Sequence, residues 1–237
     1  MPGNVHEVEV IAVSDLARAV KQIDLRASTP VNFKPGQFIS LRVGEDADGG
    51  AILRSYSLAS SPGESTLSLV IKRFEGGVAS EWFGKLTPGT PIRFTGPMGF
   101  FVCDAQHSGD VLFAVTGVGI TPVAPMLEEV LARVESSRVH LYWSLREPVD
   151  LFWQDRFAAL ARAHQRFTFH IHMTGDAKEW AGPRGRINAP ILSLLPTLTS
   201  PTFYLIGNGK MIRELKAELI ARGVDRKRQI RNEAFYD

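Results

Sequence analysis

The strongest constraint on the fold is a change in the rhythm of apolar residues between positions 102 and 110. Before it, short apolar runs are broken by turn residues. Residues 8–13, 19–26, 37–43, 51–58, 67–73 and 91–95 read as strands. Lys34-Pro35-Gly36, Gly49-Gly50, Ser61-Pro62-Gly63 and Thr87-Pro88-Gly89 separate them. One short helix is predicted over 79–86. Short strands punctuated by proline and glycine point to a small barrel or a sandwich.

After the change, strands alternate with helices. Strands are predicted over 110–115, 139–144, 167–173 and 202–206, and helices over 125–134, 151–163, 190–195 and 210–222. Near-continuous apolar strands between helical stretches indicate a doubly wound parallel sheet. At about 150 residues per domain, 237 residues allow one or two domains. The rhythm assigns two, 1–105 and 106–237, joined inside the Gly/Pro-containing stretch 96–109.

Composition excludes several classes. The charge balance is 27 basic against 25 acidic residues, a net +2, so bulk charge gives no reason to expect nucleic-acid binding. The single cysteine, Cys103, allows no internal disulfide, no four-cysteine zinc site and no cluster held by four thiolates. A cytoplasmic protein is expected. No run approaches the roughly 18 apolar residues that span a bilayer. His170 and His172 share a strand face, but no third ligand is recognisable, so no metal site is expected.

Three short motifs carry chemistry. The run Thr116-Gly117-Val118-Gly119-Ile120-Thr121-Pro122 follows a strand and opens a helix. Glycines there let backbone approach a pyrophosphate, and a helix start offers unpaired N–H groups. A tight turn of any α/β protein reads the same way. Pro122 stands where a third glycine would complete the common fingerprint. The next strand ends Ser144-Leu145-Arg146-Glu147, so an arginine and a glutamate compete for the ribose. In the first half, Arg54-Ser55-Tyr56-Ser57 alternates a cation and a ring on one face with hydroxyls on the other. Gly76-Gly77-Val78-Ala79-Ser80 precedes a helix and offers a second phosphate-binding turn.

Taken in order with Gly96-Pro97-Met98-Gly99-Phe100-Phe101 and Tyr204-Leu205-Ile206-Gly207-Asn208-Gly209-Lys210-Met211, these motifs resemble the ferredoxin–NADP reductase superfamily, in particular its bacterial ferredoxin and flavodoxin reductases. The resemblance covers roughly residues 5–236. It implies a flavin-binding antiparallel β-barrel followed by an α/β nicotinamide-nucleotide domain. Arg54, Ser55, Tyr56 and Ser57 match the family's flavin motif, with the arginine on phosphate, the tyrosine on the ring and Ser57 near flavin N5. Val70, Ile71 and Lys72 match the strand lining the flavin. Gly77, Val78, Ala79 and Ser80 match its pyrophosphate loop, which implies FAD over FMN. Thr116, Gly117, Gly119, Thr121 and Pro122 match the nicotinamide-nucleotide loop, with Gly207 and Met211 from the last motif beside it. Glu233 and Phe235 match a C-terminal Glu-x-aromatic near the flavin, although a strand end anchored in the core reads equally well.

The chain departs from the pattern at Ile206, where the family commonly has cysteine, and at Asn208, where it has proline. Arg146 and Arg186 resemble ligands of a 2′-phosphate, and Thr174-Gly175 replaces the family's Ser-Arg pair, with Arg184 as a substitute. NADP is favoured slightly over NAD.

The resemblance implies an enzyme that takes hydride from NAD(P)H onto FAD and passes single electrons to ferredoxin, flavodoxin or an oxygenase component. Ser57 and Glu233 are the expected catalytic pair. A reductase of free flavins or small acceptors, and an electron-transfer subunit of a larger complex, remain alternatives. A monomer without nucleic-acid or membrane partners is expected. The basic run Arg222, Arg226, Lys227, Arg228 and Arg231 reads as a solvated face or as a docking face for an acidic carrier.

Overall fold

The structure, a computed structural model, describes residues 4–104, 108–133 and 137–236. The join expected at 105/106 and Val134, the expected end of one helix, lie outside the described residues. Two compact units emerge: Met1–Cys103 with Thr121–Glu128, and Asp104–Ile120 with Glu129–Asp237.

The first unit is built from β1 (Val5–Ala17), β2 (Val20–Ala27), β3 (Phe38–Glu45), β4 (Ala51–Ser57), β5 (Leu67–Lys72), α1 (Val78–Gly84) and β6 (Pro91–Met98). Its strands form one antiparallel sheet in the order β4-β3-β6-β1-β2-β5. An antiparallel bridge between Leu58 and Leu69 joins the two ends of that order and closes the sheet into a barrel. Alternation along the strands sends Val10, Ile23, Leu25, Ile39, Leu41, Leu69 and Phe94 into one core. Fully burying each stabilises the fold by about 1.5–3 kcal/mol relative to exposure. β1 is longer than its sequence pattern suggests because register shifts at Val10/Ala12 and Asp15/Ala17 interrupt the alternation without ending the ladder.

The second unit contains β7 (Val111–Thr116), α2 (Ile120–Arg133), β8 (Val139–Leu145), α3 (Gln154–Ala163), β9 (Phe167–Met173), α4 (Asn188–Leu194), β10 (Thr202–Asn208), α5 (Gly209–Ala221) and β11 (Ile230–Tyr236), although α2 straddles the division between units. Five parallel strands lie in the order β11-β10-β7-β8-β9. One face packs Leu112, Ala114, Tyr142, Phe203 and Leu205 against Ile191, Ile212, Leu215 and Leu219 of α4 and α5. On the other, Trp143 meets Phe157 of α3 edge-on, with ring centroids 5.9 Å apart. Helices on both faces explain why the strands read as continuous apolar runs.

Helix α2 begins at Ile120, five residues before the predicted start. Pro122 falls in its first turn, where no intrahelical N–H is needed, while Pro125 lies deeper and gives up one helix bond. The C-terminal strand β11 pairs with β10 through Phe203↔Ile230 to Gly207↔Ala234, then Asn208↔Tyr236. That shift leaves Phe235 as an extra residue in the ladder. From β7 the chain winds out through β8 to β9, then returns to β10 and β11 on the other side. The order reverses between β7 and β10. In open α/β sheets, ligands bind at the carboxyl ends of strands flanking such a reversal.

Candidate functional site

In the barrel unit, Arg54, Ser55, Tyr56 and Ser57 end β4 opposite Leu41, Ser40, Ile39 and Phe38 of β3. The Arg54 side chain is exposed, and its Nη1 donates only to the carbonyl of Leu53, at 2.9 Å. Its charge therefore has no carboxylate partner among the described residues. Tyr56 is half-buried and meets Phe83 edge-on at 4.8 Å. Burial pushes its hydroxyl up to about 12, against the opposing pull of the Arg54 charge, so the ring is neutral at all ordinary pH. Ser57 is buried and Ser55 exposed.

On β5, Ile71 packs in the barrel core, and Val70 and Lys72 lie on the opposite face of the strand. Of the three residues expected to line a ligand, Ile71 serves the core. Beyond them, the Phe74 N–H donates to Ser80 Oγ at 2.7 Å and the Gly77 N–H to the Phe74 carbonyl at 3.2 Å. These bonds close a turn that delivers the chain into α1. Gly77 is the N-cap and has no side chain, so the N–H groups of Val78 and Ala79 in the first turn receive no side-chain cap. An uncompensated guanidinium, a neutral half-buried ring and open backbone donors form a donor set that suits a flavin nucleotide diphosphate.

In the second unit, Thr116 ends β7 and a single 3-10 turn, Gly117–Gly119, leads into α2. Three contacts hold this loop against the sheet. Thr116 Oγ1 accepts from the Asn208 N–H at 2.7 Å. Trp143, fully buried, donates its indole N–H to the Gly117 carbonyl at 2.8 Å. Gly119 packs so closely on β10 that a Cβ there would lie 3.1 Å from the Ile206 carbonyl oxygen. Gly207 has φ +117°, and a Cβ there would lie 2.7 Å from the Thr116 carbonyl oxygen and overlap its hydroxyl. Only glycine fits.

Asn208, at the family's proline position, is the N-cap of α5: its Oδ1 accepts from the Met211 N–H at 3.1 Å. The Met211 side chain packs in the core with Ile212 and Leu215. Ile206 is fully buried. Thr121 is buried at the start of α2 and its Oγ1 has no hydrogen-bond partner. Among the described residues this is one of four such orphaned side-chain atoms, and it sits in the loop expected to hold a nucleotide. A buried hydroxyl without a partner fits a ligand-facing position.

Charged candidates for the ribose separate cleanly. Glu147 is used in a capping box with Asp150 around the turn Pro148–Asp150. Arg146 is exposed. Gly175 donates its N–H to the Arg146 carbonyl at 2.8 Å, and a Cβ there would lie 2.6 Å from that oxygen, so the arginine common at this place is sterically excluded. Arg184 spends its guanidinium on the carbonyls of Lys178 and Trp180, at 2.8 and 3.2 Å. It staples its own loop and is no substitute ligand. Arg186 is ion-paired to Glu214 of α5.

Glu233 lies opposite Ile206 in the β10–β11 ladder, and burial raises its carboxyl to about 7. Phe235 is half-buried two residues on. His172 is buried with its Nδ1 unpartnered. Burial and the neighbouring His170 lower its pKa, opposed by a hydrogen bond to the Gly185 backbone. No group of three His, Cys, Asp or Glu that could hold a metal occurs among the described residues. Within the basic run, Arg222 pairs with Glu218 and Arg231 donates to the carbonyls of Lys227 and Arg228, so part of that charge is spent on local structure. Cys103 is buried.

Sequence reasoning missed Trp143 as a loop support, Asn208 as a cap and Glu214 as the partner of Arg186. None of these pairings leaves a local signal except the cap, where Asn before a helical run is a recognisable start.

Comparison with known proteins gives concordant matches. Residues 7–103 match the family model described as an oxidoreductase FAD-binding domain, and residues 113–217 the model of an oxidoreductase NAD-binding domain. Ferredoxin–NADP reductase B of Sorangium cellulosum is 31% identical over 93% of this chain and 94% of its own length. A glycine betaine monooxygenase reductase subunit of Pseudomonas aeruginosa is 33% identical over 97% of this chain, which spans 64% of that subunit. Among solved structures, a cytochrome P450 reductase of Amycolatopsis, GcoB, superposes with a TM-score of 0.88 at 26% identity, over 99% of this chain and 71% of the other.

Proposed function

Because the chain belongs to the ferredoxin–NADP reductase superfamily, we propose that it draws electrons from NAD(P)H and delivers them singly to a separate carrier: ferredoxin, flavodoxin or an oxygenase component. It is an NAD(P)H-dependent FAD oxidoreductase. The observation that carries the acceptor reading is the cysteine count. These 237 residues hold one cysteine, too few for an iron–sulfur cluster held by thiolates, so the next redox centre lies outside them.

FAD, when bound, supplies the conversion of a two-electron hydride into single electrons. The chain's own residues bind and orient. Arg54 holds flavin phosphate through its uncompensated guanidinium, and the open N–H groups of Val78 and Ala79 take the pyrophosphate. Tyr56 offers its ring face, and Val70 and Lys72 line the same ligand. Ser57 and Glu233 act on the proton at the reacting edge. A carboxyl raised to about 7 holds its proton across the acidic range and gives it up near pH 7. Phe235 shields the ring and yields to the nicotinamide. Thr116, Gly117, Gly119 and Thr121 present backbone and hydroxyl donors to the dinucleotide, with Pro122 setting the first turn of the helix and Gly207 shaping the floor beneath them. Arg146 and Arg186 meet the adenosine 2′-phosphate of NADPH. A cytoplasmic monomer is the setting we propose.

Anaerobic mixing of the flavin-loaded protein with NADPH and with NADH tests the reading. Bleaching of flavin absorbance by at least one nucleotide is the expected result, and bleaching by neither would overturn it. Rapid reoxidation by added ferredoxin or flavodoxin supports the acceptor assignment, whereas reoxidation by free flavin alone would replace it with the small-acceptor reading.

A further inference from the structure

Three arginines stand where the 2′-phosphate of NADPH could be met, and they differ in what their guanidinium groups already do. Arg184 is bound to two backbone carbonyls. Arg186 is bound to the carboxylate of Glu214. Arg146 has an exposed side chain, and the close approach of Gly175 to its backbone leaves no room for a further cation beside it. Glu214 sits on α5, the helix that Asn208 caps at the end of β10, so its position is tied to the nucleotide loop through one continuous element.

We propose that Glu214 is a specificity-determining residue: by occupying Arg186 it opposes the 2′-phosphate of NADPH and shifts nucleotide choice toward NADH. The proposal rests on the reading of Arg186 as a 2′-phosphate ligand. A phosphate monoester carries about −1.5 to −2 charge at neutral pH. On Arg186 it would lie beside the Glu214 carboxylate, and it must share or displace that carboxylate to reach the guanidinium. NADH presents an uncharged hydroxyl at the same atom and meets neither obstacle. Specificity arises here from a repulsive group set against one ligand as much as from contacts made to the other.

The size of the effect follows from exposure. The Arg186 and Glu214 side chains are 53% and 37% exposed. Water and salt screen charges at such a site, and half-exposed ion pairs contribute little to stability. The discrimination is therefore a matter of a few fold, and the fold does not depend on the pair.

The test is titration of the holoenzyme with 2′-phospho-AMP and with AMP by calorimetry, beside KM values for NADPH and NADH. In Glu214→Gln, 2′-phospho-AMP should bind and NADPH should saturate at about threefold to tenfold lower concentration, with AMP and NADH changed by less than about twofold. Equal changes for both members of each pair, or no change, would overturn the proposal. Glu214→Ala repeats the experiment without a polar side chain and should give the same selective gain. Arg186→Ala separates the two layers. If it weakens 2′-phospho-AMP while Glu214→Gln does nothing, only the role of Glu214 fails. If it leaves 2′-phospho-AMP unaffected, the assignment of Arg186 itself fails.

Discussion

The two glycine-rich turns of this chain look alike in sequence and are held in different ways. The turn from Phe74 to Ser80 is local. Its bonds link residues six positions apart or fewer, Gly76 has open space around it, and α1 begins without a side-chain cap. The turn from Thr116 to Pro122 is held from below by residues far along the chain. Trp143 lies 26 positions away and Asn208 lies 92 positions from the threonine hydroxyl it meets. A turn supported locally can form as soon as its strand does. A turn supported by the sheet takes its shape only when β8 and β10 are in place, and any loosening of those strands reaches it.

Substitutions can break this contrast. The largest effect is expected at Gly207→Ala. The added methyl would overlap Thr116, and φ +117° is strained for alanine, so the second unit should lose about 3 kcal/mol in denaturant unfolding. Flavin should remain bound, and loss of flavin together with nucleotide binding would show that the turns are not independent. Trp143→Phe comes next. It keeps an aromatic ring in the core but leaves the Gly117 carbonyl without its donor, at a cost of about 1–3 kcal/mol. KM for NADPH and NADH should rise together by about tenfold, equivalent to about 1.4 kcal/mol, with flavin content unchanged. A rise for one nucleotide only would contradict a role in shaping the loop. Ser80→Ala should be milder, about 1 kcal/mol, and should appear as faster flavin dissociation with unaltered KM for nucleotide.

The smallest effects are those of pH, and two groups of the second unit act in opposite directions. Glu233 has a folded-state pKa of about 7 against 4.5 when exposed, so the folded state binds more protons between those values and stability falls as pH rises through that window. Turnover should decline near pH 7 and above, and Glu233→Gln should flatten that limb of the profile. His140, His170 and His172 are shifted below 6.5 by burial, so stability should fall as pH drops below about 6.5. Thermal unfolding across pH 5–8 with His172→Gln alongside checks it: an acid limb identical in the variant would remove His172 from the account.

The same distinction between local and distant support decides what could be read from the residues alone. Turn chemistry and periodicity are local, so the strands of the barrel and the strand–helix alternation of the second unit were legible to within a few positions. Ile230–Tyr236 was not a clear strand from its own pattern, because Ile230-Arg231-Asn232-Glu233 lacks alternation and its pairing is supplied by β10. The start of α2 was placed at Pro125 because proline suits a first helical position, whereas the helix already runs from Ile120 with Pro122 in its first turn and Pro125 inside it. At the site, glycines and the Arg54–Ser57 run were visible. The competition for Arg186 was not, because its partner lies 28 residues away on another element. Met211 carried a family position but serves the core.

The extra residue in the ladder between β10 and β11 has a consequence for how this chain can vary. Because the register skips Phe235, its direction is set by the count of residues between Ala234 and Tyr236 and not by its identity. Removing Ala234 would restore regular pairing and move the aromatic to the register position opposite Gly207, while exchanging Phe235 for another ring would leave the spacing alone. The end of the chain is in this sense written in spacing, and a deletion is a larger event there than a substitution.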